Sequence, residues 1–300
     1  MKRCKETMLC LLDSAMTEDG KSDQTKTKYR RVVREYLKYA CAECGNSRSE
    51  SSKSGSSGNS QGESNCFTPE TMQAYRSEMK NRYSVVSANS QIAAINYFFR
   101  VSGHANLKMR YFRVQHAMFR ATEKDLSKEE YFSLLNAARE EGNQRLYMIM
   151  QTIASTGVRV SELPFITVES IETRRVLVTL KGKTRIVLMP EKLCRKLRSY
   201  AEQEHIRSGS LFVTRTGRPM DRSNIAHEMK RLCGTAWIGR EKVYLHNLRH
   251  LFAVTYYQKE GDLLHLADLL GHSNVNTTRI YTSMGIHEYE KQIEDLELVN

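Results

Sequence analysis

No stretch of the chain stays apolar for the ~20 residues that a bilayer-crossing helix needs, which speaks against a membrane span. The opening MKRCKETMLCLLDSAMTEDG starts basic, but its apolar patch is short and broken by Asp13. It reads as an amphipathic helix rather than a signal peptide. The seven cysteines, Cys4, Cys10, Cys41, Cys44, Cys66, Cys194 and Cys233, are odd in number and lack framework spacing. That argues for reduced thiols in a cytosolic protein. Cys41 and Cys44 have no second C-x-x-C or H-x-x-x-H nearby to complete a zinc site, and read as two thiols one helical turn apart. A Walker motif, a paired-carboxylate metal cluster and an internal repeat are all missing.

What the chain does have is positive charge. It carries a formal net charge of +12 over 300 residues, long enough for one large or two ordinary domains. Its 40% hydrophobic and 27% charged content place it among soluble globular proteins. Lysine and arginine gain affinity for phosphates by releasing counterions, so nucleic acid is the commonest partner of such a chain. A merely soluble basic protein is the alternative.

The first half reads as helical. Residues 25–44 space Tyr29, Val32, Val33, Tyr36, Leu37 and Ala40 on one stripe, with Lys26, Lys28, Arg30 and Arg31 around the rest. Residues 46–65, rich in Ser and Gly without an apolar anchor, read as a flexible loop. Thr68-Pro69 starts the next helix as N-cap and first helical residue. A helix over 87–101 buries Ile92, Ile95, Phe98 and Phe99. Residues 103–124 hold Lys108, Arg110, Arg113, Arg120 and Lys124, a basic junction suited to a phosphate backbone. Ser127 and Glu130 have capping-box spacing. Residues 144–155 form a largely apolar helix, and RRVLVTLKGKTRIVLM reads as a β-hairpin turning at Lys181-Gly182-Lys183. Further helices are expected at 190–204, 223–233, 246–259 and 263–270.

Several residues of the second half suit phosphate chemistry. TGVRVSEL holds Arg159 after a helix end at Gly157, and Lys181 sits at the hairpin turn. LHNLRH holds His246 and Arg249 three apart, hence on one helical face, and LGHSNVNTTRIY holds His272 and Tyr281. Metal-independent phosphodiester cleavage needs a nucleophile, here a phenol of ordinary pKa about 10. It needs donors around the non-bridging oxygens, where charge concentrates, and guanidinium forks supply them. A lysine can serve as acid and histidines as donors or proton carriers. Each residue also has an ordinary role: an Arg159–Glu162 pair worth about 0.2–0.5 kcal/mol, a polar turn, a solvated helix face, a core tyrosine. Spacing alone does not join the six into a site.

The boxes TGVRVSEL, LHNLRHLFA and LGHSNVNTTRIYT, in that order, resemble the signatures of the tyrosine recombinases, the phage-integrase and Xer-like family. The resemblance spans 126–283, and TKTKYRRVVREYLKYA and SANSQIAAINYFF resemble the family's core-binding domain. It implies a mainly α fold with a small β-sheet. A helical, SAM-like core-binding domain would occupy 1–115, a basic linker 116–125, and an α+β catalytic domain 126–300 with a tail at 284–300. Arg159 would clamp the scissile phosphate with support from Glu162. Lys181, or its neighbour Lys183, would be the general acid. His246, Arg249 and His272 would complete the set, and Tyr281 would attack. Asn247 departs from the Asp that relatives often carry. Lys26, Lys28, Arg30, Arg31, Arg110, Arg113, Arg215 and Arg218 are the DNA-contact candidates.

By the same resemblance the chain cuts and rejoins double-stranded DNA through a 3′-phosphotyrosine link, without metal, ATP or cofactor, as a tetramer on two sites. The expected location is cytoplasmic, on the nucleoid. Accessory proteins that bend DNA or set direction belong to this picture. The acidic tail, with Ile286, Tyr289, Ile293 and Leu296 at helical spacing, is expected to dock on a neighbouring subunit. Two alternatives stand: a type IB topoisomerase-like relaxase, and a DNA-binding protein of recombinase descent without catalysis.

Overall fold

In the computed structural model, residues 2–50, 67–114, 124–180, 182–272, 274–281 and 294 are described, with backbone only for 2–5, 43–50 and 183. The chain forms two compact units, Met1–His116 and Ala117–Asn300. The fold is mainly α with one two-stranded sheet. Among the described residues no helix is long and apolar enough to cross a membrane.

The first unit contains α1 (Lys2–Glu18), α2 (Asp23–Glu50), α3 (Pro69–Arg82) and α4 (Val85–Val101). Leu12 and Met16 of α1, Val33, Tyr36, Leu37 and Ala40 of α2, and Ile92, Ile95, Phe98 and Phe99 of α4 are buried in one core. Tyr36 meets Tyr75 and Phe99 edge-on, with centroids 5.1 and 5.5 Å away. Thr68 caps α3 by accepting from the Thr71 amide, and Pro69 opens the helix. The expected loop at 46–65 starts too early: α2 continues to Glu50. Once a helix is nucleated, each further residue adds a hydrogen bond while fixing only itself, so polar residues can extend it. The remainder of that loop lies outside the described residues.

After α4 the chain runs extended along the helix, held by two asparagines. Asn96 donates to the Met109 carbonyl (3.0 Å) and accepts from its amide (2.8 Å). Asn89 makes the same reciprocal pair with Phe112, at 2.9 and 2.8 Å. Seven helical residues rise about 10.5 Å, and three extended residues span about 10 Å, so the two side-chain amides match backbone positions three apart on an extended segment. Arg76 adds a hydrogen bond to the Arg110 carbonyl (2.8 Å) and lies over the Phe112 ring.

The second unit is built on α6 (Gln144–Thr156), whose Leu146, Met148, Ile149, Met150 and Ile153 are all buried. A helix apolar on most sides belongs at the centre. It packs among α5 (Lys128–Glu140), α8 (Glu191–Gln203) and α11 (Leu245–Glu260). The Ser127–Glu130 capping box forms, with Glu130 accepting from the Ser127 amide at 2.9 Å. The short α7 (Val168–Thr173) leads into β1 (Arg175–Leu180), which pairs antiparallel with β2 (Lys183–Leu188). The remaining helices are α9 (Arg222–Arg231), α10 (Cys233–Ala236) and α12 (Leu263–Leu270).

The hairpin corrects one expectation. Leu180 pairs with Lys183, so Lys183 belongs to β2 and not to the turn. Gly182 takes φ +72°, a conformation glycine adopts without a Cβ penalty.

Candidate active site

The site grows from helix ends. The last carbonyls of a helix have no partner within it and carry the negative end of its dipole. Helix α12 ends at Gly271 in a left-handed conformation, φ +63°. Three arginines from three other elements meet the carbonyls there. Arg185 of β2 donates from Nη1 to Leu269 O (2.6 Å), Arg249 of α11 from Nη2 to Leu270 O (2.8 Å), and Arg159 from Nη2 to Gly271 O (3.2 Å). Arg249 also donates from Nη1 to Gly157 O at the end of α6. Glycine is needed at both ends for space as well as conformation. A Cβ on Gly271 would lie 2.4 Å from Arg185 Cδ, and one on Gly157 2.5 Å from the Phe252 ring.

One carboxylate serves this cluster. Glu162, 2% exposed, lies in the 3-10 helix Val160–Phe165. It accepts from Arg159 Nη1 (2.9 Å), from the Arg159 amide (2.7 Å), and from Arg185 Nη2 (2.5 Å) and Nε (3.2 Å). Burial alone would raise its carboxyl, but the Arg185 and Arg159 donors and charges overcome this and hold it below its ordinary range. Three guanidiniums against one carboxylate leave a local excess of positive charge. Arg159 is 38% exposed on its side chain, whereas Arg249 is 3% exposed. Burial first, then the neighbouring Arg159, bring the Arg249 guanidinium down to about 10.

His272 follows α12 directly. Its Nε2 lies 3.0 Å from Arg249 Nη2 and its Nδ1 2.9 Å from Thr278 Oγ1. Burial, followed by the charges of Arg249, Arg159, Arg185 and His246, pushes its pKa down to about 4. Tyr281 closes the 3-10 helix Arg279–Tyr281 and is 4% exposed. Its ring stacks on His272, centroids 6.1 Å apart and 16° off parallel, and leans on His250 at 5.1 Å. Ala253, Leu266 and Leu270 form the apolar floor beneath it.

Arg159, Arg249, His272 and Tyr281 are therefore brought together, with Glu162 beside them. His246, in the first turn of α11, is exposed. Lys181 lies outside the described residues, as does the Lys183 side chain. Asn247 is buried and donates from Nδ2 to Lys124 O and Lys242 O, both at 2.7 Å. A carboxylate has no donor for two carbonyls, so the amide at this position fits its surroundings.

Three residues of the site were not singled out by the sequence. Arg185 looks like any polar strand residue. Thr278 is one of two adjacent threonines. His250, which pairs with Asp125 (3.1 Å), stands inside the quoted LHNLRH box. The DNA-contact candidates are surface groups. Arg215 and Arg218 are exposed on a turn closed by Thr214 N–H to Arg218 O (2.7 Å). Lys28, Arg30, Arg31, Arg110 and Arg113 are exposed and Lys26 half-buried. Among the described residues no group of three or more His, Cys, Asp or Glu could hold a metal ion.

The fold and this arginine cluster mark a class, and the comparisons name it. Residues 124–286 match the model of the phage integrase family. The chain belongs to that family, the tyrosine recombinases. Tyrosine recombinase XerA of Thermococcus kodakarensis is 30% identical over 227 residues, covering 73% of this chain and 78% of its own. The XerH recombinase bound to palindromic difH substrate, a post-cleavage complex, superposes with TM-score 0.71 at 19% identity, over 91% of this chain and 80% of that one. A lambda integrase tetramer bound to a Holliday junction gives 0.68 at 15% identity, over 92% and 76%. The last two share the fold.

Proposed function

We propose that this chain is a site-specific recombinase that cuts and rejoins double-stranded DNA, with Tyr281 as nucleophile. The observation that carries the reading is the convergence of Arg159, Arg185 and Arg249 on the carbonyl end of α12, with one carboxylate, Glu162, between the first two, next to the Tyr281–His272 stack. Such a cluster is short of negative charge, and a phosphodiester supplies it. Arg159, the more exposed, grips the scissile phosphate from outside, and Arg249 does so from within. His246 and His272 add donors. Tyr281 Oη gives up its proton to water and bonds to phosphorus, the bond from phosphorus to the 5′-oxygen breaks, and the leaving oxygen takes a proton from Lys181 or Lys183. A 5′-hydroxyl from a partner strand then displaces the tyrosine. One phosphate ester replaces another of similar energy, so the exchange needs neither ATP nor a cofactor.

The basic surfaces bearing Lys26, Lys28, Arg30, Arg31, Arg110, Arg113, Arg215 and Arg218 track the duplex backbone. One strand is cut per subunit, so four copies act on two sites, as the lambda integrase tetramer on its Holliday junction suggests. The acidic tail from residue 284 docks on the neighbour, and accessory proteins bend the DNA or set direction. The test is covalent capture on nicked suicide duplexes carrying candidate sites. Wild type forms the protein–DNA adduct and Tyr281→Phe does not. Capture persisting in Tyr281→Phe would overturn the assignment.

A further inference from the structure

His272 is held at both ring nitrogens, and its two partners differ in kind. A guanidinium has donors and no acceptor, so His272 Nε2 accepts from Arg249 Nη2 at 3.0 Å. The ring is neutral near pH 7, so its one proton sits on Nδ1 and is donated to Thr278 Oγ1 at 2.9 Å. In that state His272 presents no N–H to the arginine cluster and cannot donate to a phosphate. To donate from Nε2 it must move its proton there, and Nδ1 must then accept.

A backbone carbonyl or a carboxylate at Nδ1 would forbid that, because it can only accept. A hydroxyl both donates and accepts at one atom, and rotates to suit. Thr278 is fully buried, so its hydroxyl is kept from bulk water, while the His272 ring is half-buried and open to exchange. Its backbone also fixes its neighbours: its amide donates to Val275 O (2.8 Å) and its carbonyl accepts from the Tyr281 amide (2.9 Å).

We infer that Thr278 is a positioning residue whose hydroxyl lets His272 exchange an Nδ1–H tautomer, accepting from Arg249, for an Nε2–H tautomer that donates to the scissile phosphate. One proton leaves Nδ1 and one arrives at Nε2 by exchange with water, so the ring's charge is unchanged. The phosphate takes over the Arg249 N–H that His272 gives up. The inference rests on the reading of the cluster as a phosphate site. The charged and titratable groups facing the ring are Arg249, Arg159, Arg185, His246 and Tyr281, with Glu162 behind the arginines.

Nitrogen-15 NMR of the ring in the full-length chain tests it, with inorganic phosphate as the probe. In wild type and Thr278→Ser, His272 is Nδ1–H without phosphate and becomes Nε2–H when phosphate saturates the site. In Thr278→Val the phosphate-driven change is lost. Covalent capture on nicked DNA falls in Thr278→Val on the order of 10–100-fold, the usual size for loss of a group that orients a functional histidine, and Thr278→Ser restores it. An Nε2–H ring without phosphate, or an Nδ1–H ring retained while the Arg159 and Arg249 side-chain signals shift, overturns the tautomer exchange and leaves the phosphate site standing. No phosphate response at Arg159 or Arg249 overturns the site itself, and this inference with it. If Thr278→Val does not fold, the wild-type and Thr278→Ser spectra still decide.

Discussion

The two units use arginine and lysine in opposite ways. In the second unit Arg159, Arg185 and Arg249 are tied to main-chain carbonyls at the ends of α6 and α12, and the first two also to one buried carboxylate. In the first, Lys26 reaches Thr17, Lys28 reaches Ser90 and Arg30 pairs with Asp13, all side-chain contacts near solvent. At Arg110 and Arg113 it is the backbone of their segment that is held, while their side chains are exposed. One region fixes the charge and the other fixes the chain that carries it. A reacting phosphate needs charges fixed to a fraction of an ångström. A duplex backbone met along many residues does not.

The largest expected effect breaks the fixed region at its single carboxylate. Glu162→Ala leaves Arg185 and Arg159 without their counter-charge and should cost about 3–5 kcal/mol, the range for stranding a buried charge. Asp13→Ala, which removes the half-buried partner of the exposed Arg30, should cost about 0–1 kcal/mol. Urea unfolding followed by circular dichroism measures both, and equal costs would erase the contrast between the units. The pH dependence has a definite sign. Glu162 is held below its ordinary value in the fold, so its contribution is full above about pH 4.3 and lost as pH falls through the lower folded value. His272 is lowered to about 4. The unfolded chain therefore takes up a proton there first, and stability drops as pH falls from about 6.5 toward 4. Glu162→Gln should leave that upper window intact, and a slope between pH 4 and 6.5 that vanishes in this variant would assign it to the wrong group.

A glycine pair sharpens the same comparison. Gly20 in the first unit and Gly271 in the second both have positive φ, +62° and +63°. Alanine at either should cost about 1–2 kcal/mol for the left-handed conformation. Nothing lies within 4 Å of a Cβ on Gly20, whereas one on Gly271 strikes Arg185. Gly271→Ala should add about 1–3 kcal/mol for the displaced side chain and lower phosphate affinity, measured by calorimetry. A Gly20→Ala loss as large as that of Gly271→Ala would show that Arg185 gives way without cost.

The elements that could be read from sequence are those whose signal is local. The Thr68 cap, the Ser127–Glu130 box and the alternation of the β1–β2 hairpin depend on neighbours in the chain, and each forms. The turn reads one residue too long because lysine flanks Gly182 on both sides, and only the pairing of Leu180 with Lys183 puts the second lysine in the strand. The carriers of Arg159, Arg249, His272 and Tyr281 were found through ordered boxes rather than through periodicity. Arg185, Thr278, Asn89 and Asn96 were not legible. Arg185 meets Glu162 and Leu269 across folds of the chain, and the two asparagines pair with backbone 13 and 23 residues away. No spacing rule within one element contains that information. The boundary at residue 46 failed for a related reason: composition predicts what a segment does alone, and α2 arrives there already formed.

In the region where the chain is fixed, Asn96→Ala should cost about 1–3 kcal/mol, since it removes both halves of a reciprocal pair and leaves the Met109 amide and carbonyl to find other partners. Asn89→Ala should do the same at Phe112. The smallest effect separates the backbone from the charges it presents. Arg113→Ala touches neither asparagine pair and should leave stability within about 0.5 kcal/mol of wild type. If Arg113 meets a phosphate, the slope of log affinity against log salt for a duplex should shrink by about 0.9, with binding weakened equally for every sequence tested. Asn96→Ala should weaken binding because the segment is no longer held along α4, yet keep the slope of wild type, since every positive charge is still present. If Asn96→Ala lost slope as Arg113→Ala does, the asparagines would be placing individual charges. The first unit would then follow the same rule as the arginine cluster of the second.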